Sequence, residues 1–274
     1  MMHARRSLLP LLAASALLAP PAFAQDGAAP AEAPAAPAPA VALPDAKEIV
    51  AKAIDAIGGK DAWMALTSID MKGTMEIPAA KLKGPMRTVI GAPARMVTSM
   101  EIAGLGVFRS GYDGKTGWSM DKMSGPRLLA GKELEMLARE ADLFKELDIS
   151  RRFDSVETVG EGKFGGFDCW KVLGKRGEDV TTLWYEKDTY LTRGIEMTVT
   201  TQMGKIPVKT VMSEYREIDG IRLPVRSEAT QMGQKMVSTF SEIVLNKATD
   251  ADFEVPGEVK ALLEPEPAET NISI

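Results

Sequence analysis

Apolar and polar residues alternate along much of this chain. In "SIDMKGTMEI", Ile69, Met71, Gly73, Met75 and Ile77 share one side, and Ser68, Asp70, Lys72, Thr74 and Glu76 the other. Successive side chains of a strand point to opposite faces, so this run predicts a half-buried β-strand. "ARMVTSMEI" repeats the pattern with Met96, Thr98, Met100 and Ile102, and "LTRGIEMTVT" repeats it with Leu191, Ile195, Met197 and Val199. About eleven such runs fall between Ser68 and Asn246, separated by turn signals such as Gly91-Ala92-Pro93, Asp113-Gly114, Gly165-Gly166, Asp219-Gly220 and Gly233. The spacing is that of an antiparallel meander.

The period changes to the helical one twice. Asp45 and Glu48 form a capping pattern ahead of Ile49, Val50, Ala53, Ile54 and Ile57, and Gly58-Gly59 supplies the stop. In "GKELEMLAREADLF", Leu134, Leu137, Ala138, Ala141 and Phe144 recur at helical spacing. Strands and helices do not alternate as βαβ units, which argues against a parallel sheet. The expected fold is mainly β: one unclosed, strongly curved antiparallel sheet with two helices on its concave face.

The N-terminus predicts a different kind of segment. Arg5 and Arg6 precede an apolar run from Leu8 to Leu18, and Ala22-Phe23-Ala24 follows. This is the pattern of a secretory signal peptide over residues 1–24. Residues 25–44 are almost wholly Ala and Pro and predict a flexible leader. A single domain over 45–256 and a loose tail over 257–274 complete the organisation. The only cysteine, Cys169, lies far from the cleavage site, so the expected protein is periplasmic and not lipid-anchored. It reads as a small core residue and excludes an internal disulfide.

Charge and chemistry narrow the classes further. The net charge of −5 becomes −7 once Arg5 and Arg6 are removed. That balance argues against a nucleic-acid binder. The only histidine is His3, inside the signal peptide, so histidine-dependent triads and zinc sites are excluded from the mature chain. No spacing of carboxylates singles out a catalytic pair, and no cofactor or metal site is expected. The Gly114-Lys115-Thr116 tripeptide lacks the first glycine and the following helix of a P-loop, because Arg109 stands where that glycine belongs. Asp113-Gly114 predicts a type I′ hairpin turn instead.

The sixteen methionines fall largely on inward strand positions. Methionine is flexible and polarizable, so such a face either accepts an apolar ligand or packs as an ordinary core. On the first reading the cavity wall is Met71, Met75, Met96, Met100, Trp118, Met120, Met197 and Val199, and the lid is Leu134, Leu137 and Phe144. Trp118 and Met120 share a parity and so a face. Arg151, Arg152, Lys209 and Arg226 are either surface charges or contacts for a lipid head group.

Three stretches carry a family resemblance: "IVAKAIDAIGGKDAWMALTSIDMKGTMEI", "GYDGKTGWSMDKMSGPRLLAGKELEML" and "YREIDGIRLPVRSE". With the closing "ATDADFEVP", they resemble the periplasmic outer-membrane lipoprotein-sorting proteins, the Lol-type carriers, over Asp45 to Pro256. The resemblance implies an unclosed β-barrel of about eleven strands with helices as a lid over an apolar cavity. It further implies a monomeric soluble carrier that shields lipid or lipoprotein acyl chains in transit toward the outer membrane. Inner- or outer-membrane donor and acceptor proteins would be its partners. A lipid-responsive sensor for an envelope regulator, or a histidine-free enzyme on the same fold, are the alternatives. The missing anchor cysteine sets the chain apart from the membrane-attached acceptor type.

Overall fold

The folded chain begins at the predicted cap. In the structure, a computed structural model, the Asp45 carboxylate accepts from the Lys47 amide at 2.7 Å, and α1 (Ala46–Ala56) follows. Residues 42–201 and 204–263 are described. The signal-peptide segment, the leader up to residue 41 and the end of the tail, 264–274, lie outside them. α1 buries Ala46, Ile49, Val50 and Ala53, the stripe read from its period. Its stop is a close approach as well as a turn: a Cβ on Gly58, at φ +119°, would stand 2.3 Å from the Gly220 carbonyl oxygen. Only glycine fits there. A short helix, α2 (Lys60–Met64), then buries Trp63, whose indole N–H donates to the Ile57 carbonyl at 3.0 Å.

Six strands form a first meander: β1 (Ser68–Ile77), β2 (Leu82–Gly91), β3 (Arg95–Ile102), β4 (Gly106–Tyr112), β5 (Gly117–Asp121) and β6 (Gly125–Leu128). Helix α3 (Gly131–Ala141) and a turn-rich segment ending in a 3₁₀ turn (Ile149–Arg151) lead to a second meander. It comprises β7 (Ser155–Phe164), β8 (Phe167–Arg176), β9 (Asp179–Glu186), β10 (Thr192–Thr201), β11 (Gly204–Ile218), β12 (Ile221–Gln231) and β13 (Gln234–Leu245). β13 pairs with β1, giving one antiparallel sheet in the order 6-5-4-3-2-1-13-12-11-10-9-8-7. β6 and β7 are its two edges, so the barrel is unclosed, as expected. Thirteen strands replace the expected eleven or so. The four-residue β6, Gly-Pro-Arg-Leu, shows no alternation of its own.

The curvature follows from α3. Leu134 and Leu137 of α3 stand over Gly117 of β5, and the same helix also contacts β10. Those strands are eight steps apart in the sheet, about 38 Å if it were flat. A helix roughly 10 Å across reaches both only because the sheet curls around it. α3 ends at Ala141, one turn earlier than the period suggested. Phe144 therefore lies in the turn that follows, packed beside the cluster around Trp63, Leu143 and Leu147.

Register assigns the faces. Ile69, Ile90, Met96, Tyr112 and Gly117 are successive partners on the face covered by α1 and α3. Asp70, Val89, Val97, Gly111, Trp118 and Leu128 are successive partners on the other face. That second face is not bare. The chain after β13 crosses it through a 3₁₀ turn (Asp250–Phe253) and α4 (Gly257–Lys260), burying Phe253, Val255 and Val259 against Val89, Val97 and Trp118. The folded part thus runs past Pro256, and the first residues of the expected tail are helical core. Arg87 fastens this crossing. It donates to both Asp70 carboxylate oxygens, at 2.9 and 2.8 Å, and to Asp252 at 2.7 Å.

The β4–β5 connection is a four-residue loop, not the expected two-residue turn. Tyr112 and Gly117 are the last partners, and the Asp113 carboxylate accepts from the amides of Lys115 (2.8 Å) and Thr116 (2.6 Å). The Asp113 side chain does the turning that the backbone of a type I′ turn would do, with Gly114 at φ +104°.

Candidate ligand cavities under the helices

The helix-covered face carries the methionine pattern. Met71, Met75, Met96 and Met100 share that face, and register continues it through Ser238 opposite Met75 and Ala229 opposite Met236. The face is largely filled by side chains from the helices above it, and cavities remain among the described residues.

The first lies beneath α1, about 110 Å³ in volume, and is walled by Val50, Ala53, Ile54 and Ile57 of α1. Tyr185, Ile195, Tyr215 and Leu223 form its sheet side, and Glu146 and Arg152 its polar edge. The second, also about 110 Å³, lies beneath α3, between Met136, Arg139 and Glu140 above and Ile195, Met197 and Val199 below. Arg152 and Ile195 line both. The third is a cleft of about 170 Å³ over β3 to β5, where Thr98, Met100, Phe108, Ser110, Ser119 and Asp121 have the parity of the helix-covered face.

Charge gathers between the first two. Arg152 donates through Nη1 to both Glu146 oxygens, at 3.1 and 3.0 Å, and its side chain is 13% exposed. Desolvation opposes its charge, but the Glu146 and Glu140 carboxylates outweigh that and raise its pKa. Lys145 beside Glu140, at 2.8 Å, holds that carboxyl below the usual carboxylate range. Tyr185 is 3% exposed, and burial pushes its phenol pKa up, so it stays a neutral donor. Tyr215 is likewise held protonated by desolvation, with its hydroxyl committed to the Thr192 carbonyl.

The residues singled out from the sequence go to several places. Met197 and Val199 line the α3 cavity, and Met100 lines the cleft, with Met120 at its edge. Met71 packs beside the Trp63 cluster, Met75 Sδ is 3.7 Å from the Ser238 hydroxyl, and Met96 lies between Ile90 and Tyr112 in register. Leu134 and Leu137 lie over Gly117, as a lid would. Trp118 and Met120 are on the opposite face. Trp118 is wholly buried under Phe253 and Val259, and Met120 packs at the edge of that cluster. Their shared parity was right, but register with Gly111 and Val97 puts that parity on the far side. Of the four cations considered, only Arg152 reaches the cavities. Arg151 pairs with Asp142, Arg226 lies between Glu214 and Glu228, and Lys209 stands over the Phe164 ring. Tyr185 and Tyr215 were missed. The alternation of Leu183 and Tyr185 is a signal for Tyr185 alone, and it does not say what that residue faces.

Solved structures supply the comparison. A LolA superfamily protein from Nitrosomonas europaea matches with a TM-score of 0.51 at 15% identity, over 78% of this chain and 99% of that one. An outer membrane lipoprotein-sorting protein domain from Vibrio parahaemolyticus matches with a TM-score of 0.51 at 12% identity, over 79% and 97%. No protein-family profile and no curated protein matches the sequence. With an open thirteen-stranded sheet, helices across one face and these neighbours, the chain has the fold of the LolA superfamily.

Proposed function

We propose that this protein is a soluble periplasmic carrier that takes an acyl chain, free or lipoprotein-borne, beneath α1 and α3. The observation that carries this reading is the pair of cavities beneath α1 and α3. Both 110 Å³ cavities sit under a helix, on a methionine-rich face, and each is smaller than the roughly 300 Å³ at which ligand pockets usually begin. A ligand therefore enters by displacing a helix, and α3 is the one held less firmly. α1 buries four residues, whereas α3 buries only Ala141. A tail of about fifteen methylenes offers on the order of 10 kcal/mol of burial. Leu134 and Leu137, half-buried, give up roughly 2 kcal/mol in making way. The balance favours opening around a ligand.

The fold shared with a lipoprotein-sorting domain and the signal-peptide pattern support the same reading. It includes no chemistry on the ligand. Cys169 is completely buried, and desolvation pushes its thiol up to about 11, which leaves it protonated and inert at neutral pH. Native mass spectrometry of protein purified from its own periplasm tests the proposal. Bound acyl species, or stoichiometric uptake of a fluorescent fatty acid, are expected. A ligand-free spectrum together with no uptake overturns it.

A further inference from the structure

The two cavities meet at a polar point that an acyl tail alone would not use. Tyr185 lines the α1 cavity, is almost fully buried, and makes no hydrogen bond among the described residues. Its hydroxyl is not among the fully enclosed polar atoms, so its unused O–H can donate to an acceptor held in the cavity. Arg152 stands at the same cavity and has spare donors. Both of its bonds to Glu146 use Nη1, which leaves Nε and Nη2 without a hydrogen-bond partner among the described residues. A guanidinium can serve two anions on two edges, and here one edge is filled.

The surrounding charge sets the sign of the missing acceptor. Lys132, Arg139, Lys145, Arg152 and Arg176 ring the α3 cavity, facing Glu135, Glu140 and Asp179, with Glu146 behind Arg152. Lys145 and Arg152 are matched by Glu140 and Glu146. Arg139 reaches Glu135 only at 4.0 Å. Among the described residues, Lys132 and Arg176 have no carboxylate within ion-pair distance, and Arg176 donates only to the Arg151 carbonyl, at 2.7 Å. Asp179 opposes Arg176 across the β8–β9 hairpin without forming an ion pair. In a chain of net charge −5, this junction has spare positive donors beside the apolar stripe of α1.

We propose that Arg152 and Tyr185 anchor the head of the ligand, and that its class is a single acyl chain ending in an oxyanion, a carboxylate or a phosphate. The tail lies in the space that α3 opens, against Ile195, Met197 and Val199. The head accepts from the Tyr185 hydroxyl and the free edge of Arg152, within reach of the field of Lys132 and Arg176. This inference rests on the carrier reading and adds to it a choice of ligand by charge.

The test is equilibrium binding of cis-parinaric acid, its methyl ester and hexadecyl phosphate to the intact protein and to Tyr185→Phe. Removing only the hydroxyl keeps the ring that packs the core, and a thermal melt confirms folding. The acid is expected to bind at least about tenfold more tightly than the ester, and Tyr185→Phe to weaken the acid by about tenfold while leaving the ester within twofold. Arg152→Lys keeps the charge facing Glu146 but loses the second edge, and it is expected to weaken the acid similarly. If the phosphate displaces the acid, the head is any oxyanion; if it does not, the head is a carboxylate. Equal binding of acid and ester, unchanged by either variant, overturns the anchor and leaves the carrier standing. Binding of none of the three overturns both.

Discussion

Truncating the lid leucines separates a moving helix from a fixed one. Leu134 and Leu137 pack from α3 onto Gly117, where a Cβ would meet Leu134 Cδ1 at 2.6 Å and Leu137 Cδ2 at 3.6 Å. Both are half-buried, so each contributes about 1 kcal/mol, half the roughly 2 kcal/mol of a fully buried leucine. The double variant Leu134→Ala, Leu137→Ala should then weaken the docked state of α3 by about 2 kcal/mol. That raises the open fraction roughly thirtyfold, since each 1.4 kcal/mol is a factor of ten. Alanine is a good helix former, so the helix itself is not penalised. Two measurements read the change. Amide exchange in residues 131–141 should accelerate about thirtyfold while β1 and β13 keep their protection. Association of a fluorescent fatty acid should accelerate in proportion, because only the open state admits it. If exchange rises equally in α3 and in the central strands, and the association rate is unchanged, α3 is part of the global core and the lid argument fails.

Three further outcomes follow from the packing. Val259→Ala removes two methyl groups at a wholly buried site against the Trp118 cluster and should cost about 2 kcal/mol in urea unfolding; deleting residues 257–274 should also shift tryptophan emission to the red. Glu186→Gln leaves Arg193 buried without its carboxylate partner, now at 2.7 Å, and should cost roughly 3 kcal/mol; the double replacement Glu186→Met, Arg193→Leu should cost less. Asp252 is held below the usual aspartate range by the Thr249 amide and by Arg87. Because its folded pKa is depressed, its contribution is complete above the ordinary value near 4 and is lost as pH falls through the folded one. Asp252→Asn should therefore flatten the acid limb of a stability–pH curve and leave the limb above neutrality unchanged.

Much of the site's material was legible in the sequence, and its arrangement was not. The parity of Met71, Met75, Met96, Met100, Met197 and Val199 placed each on the inward side of its own strand, and register keeps them on one face. Trp118 and Met120 obeyed the same rule within β5 and still point away. Alternation fixes which residues of one strand share a side; it does not say which side meets the neighbouring strand's inward set. That depends on the pairing carried across from β3: Met96 is opposite Tyr112 and Tyr112 opposite Gly117, so the odd positions of β5 face the helices. The C-terminal crossing was missed for a related reason. "DFEVPGEVK" is too short and too charged for either period, and its apolar residues matter only where the second face of the sheet receives them.

The amino-acid sequence alone determined the kind of protein this is: two amphipathic helices, a long antiparallel series of strands, a methionine-rich inward face, and no histidine beyond His3. Those properties are local, because period, capping and composition act within one element. The tertiary structure decided where that face is open. Curling the sheet brings Arg152, from the segment after α3, beside Tyr185 of β9 and the apolar stripe of α1. Three elements drawn from residues 46 to 186 of the chain thus make one polar point beside an apolar stripe. Such a meeting depends on long-range register and curvature, and no periodicity along the chain encodes it.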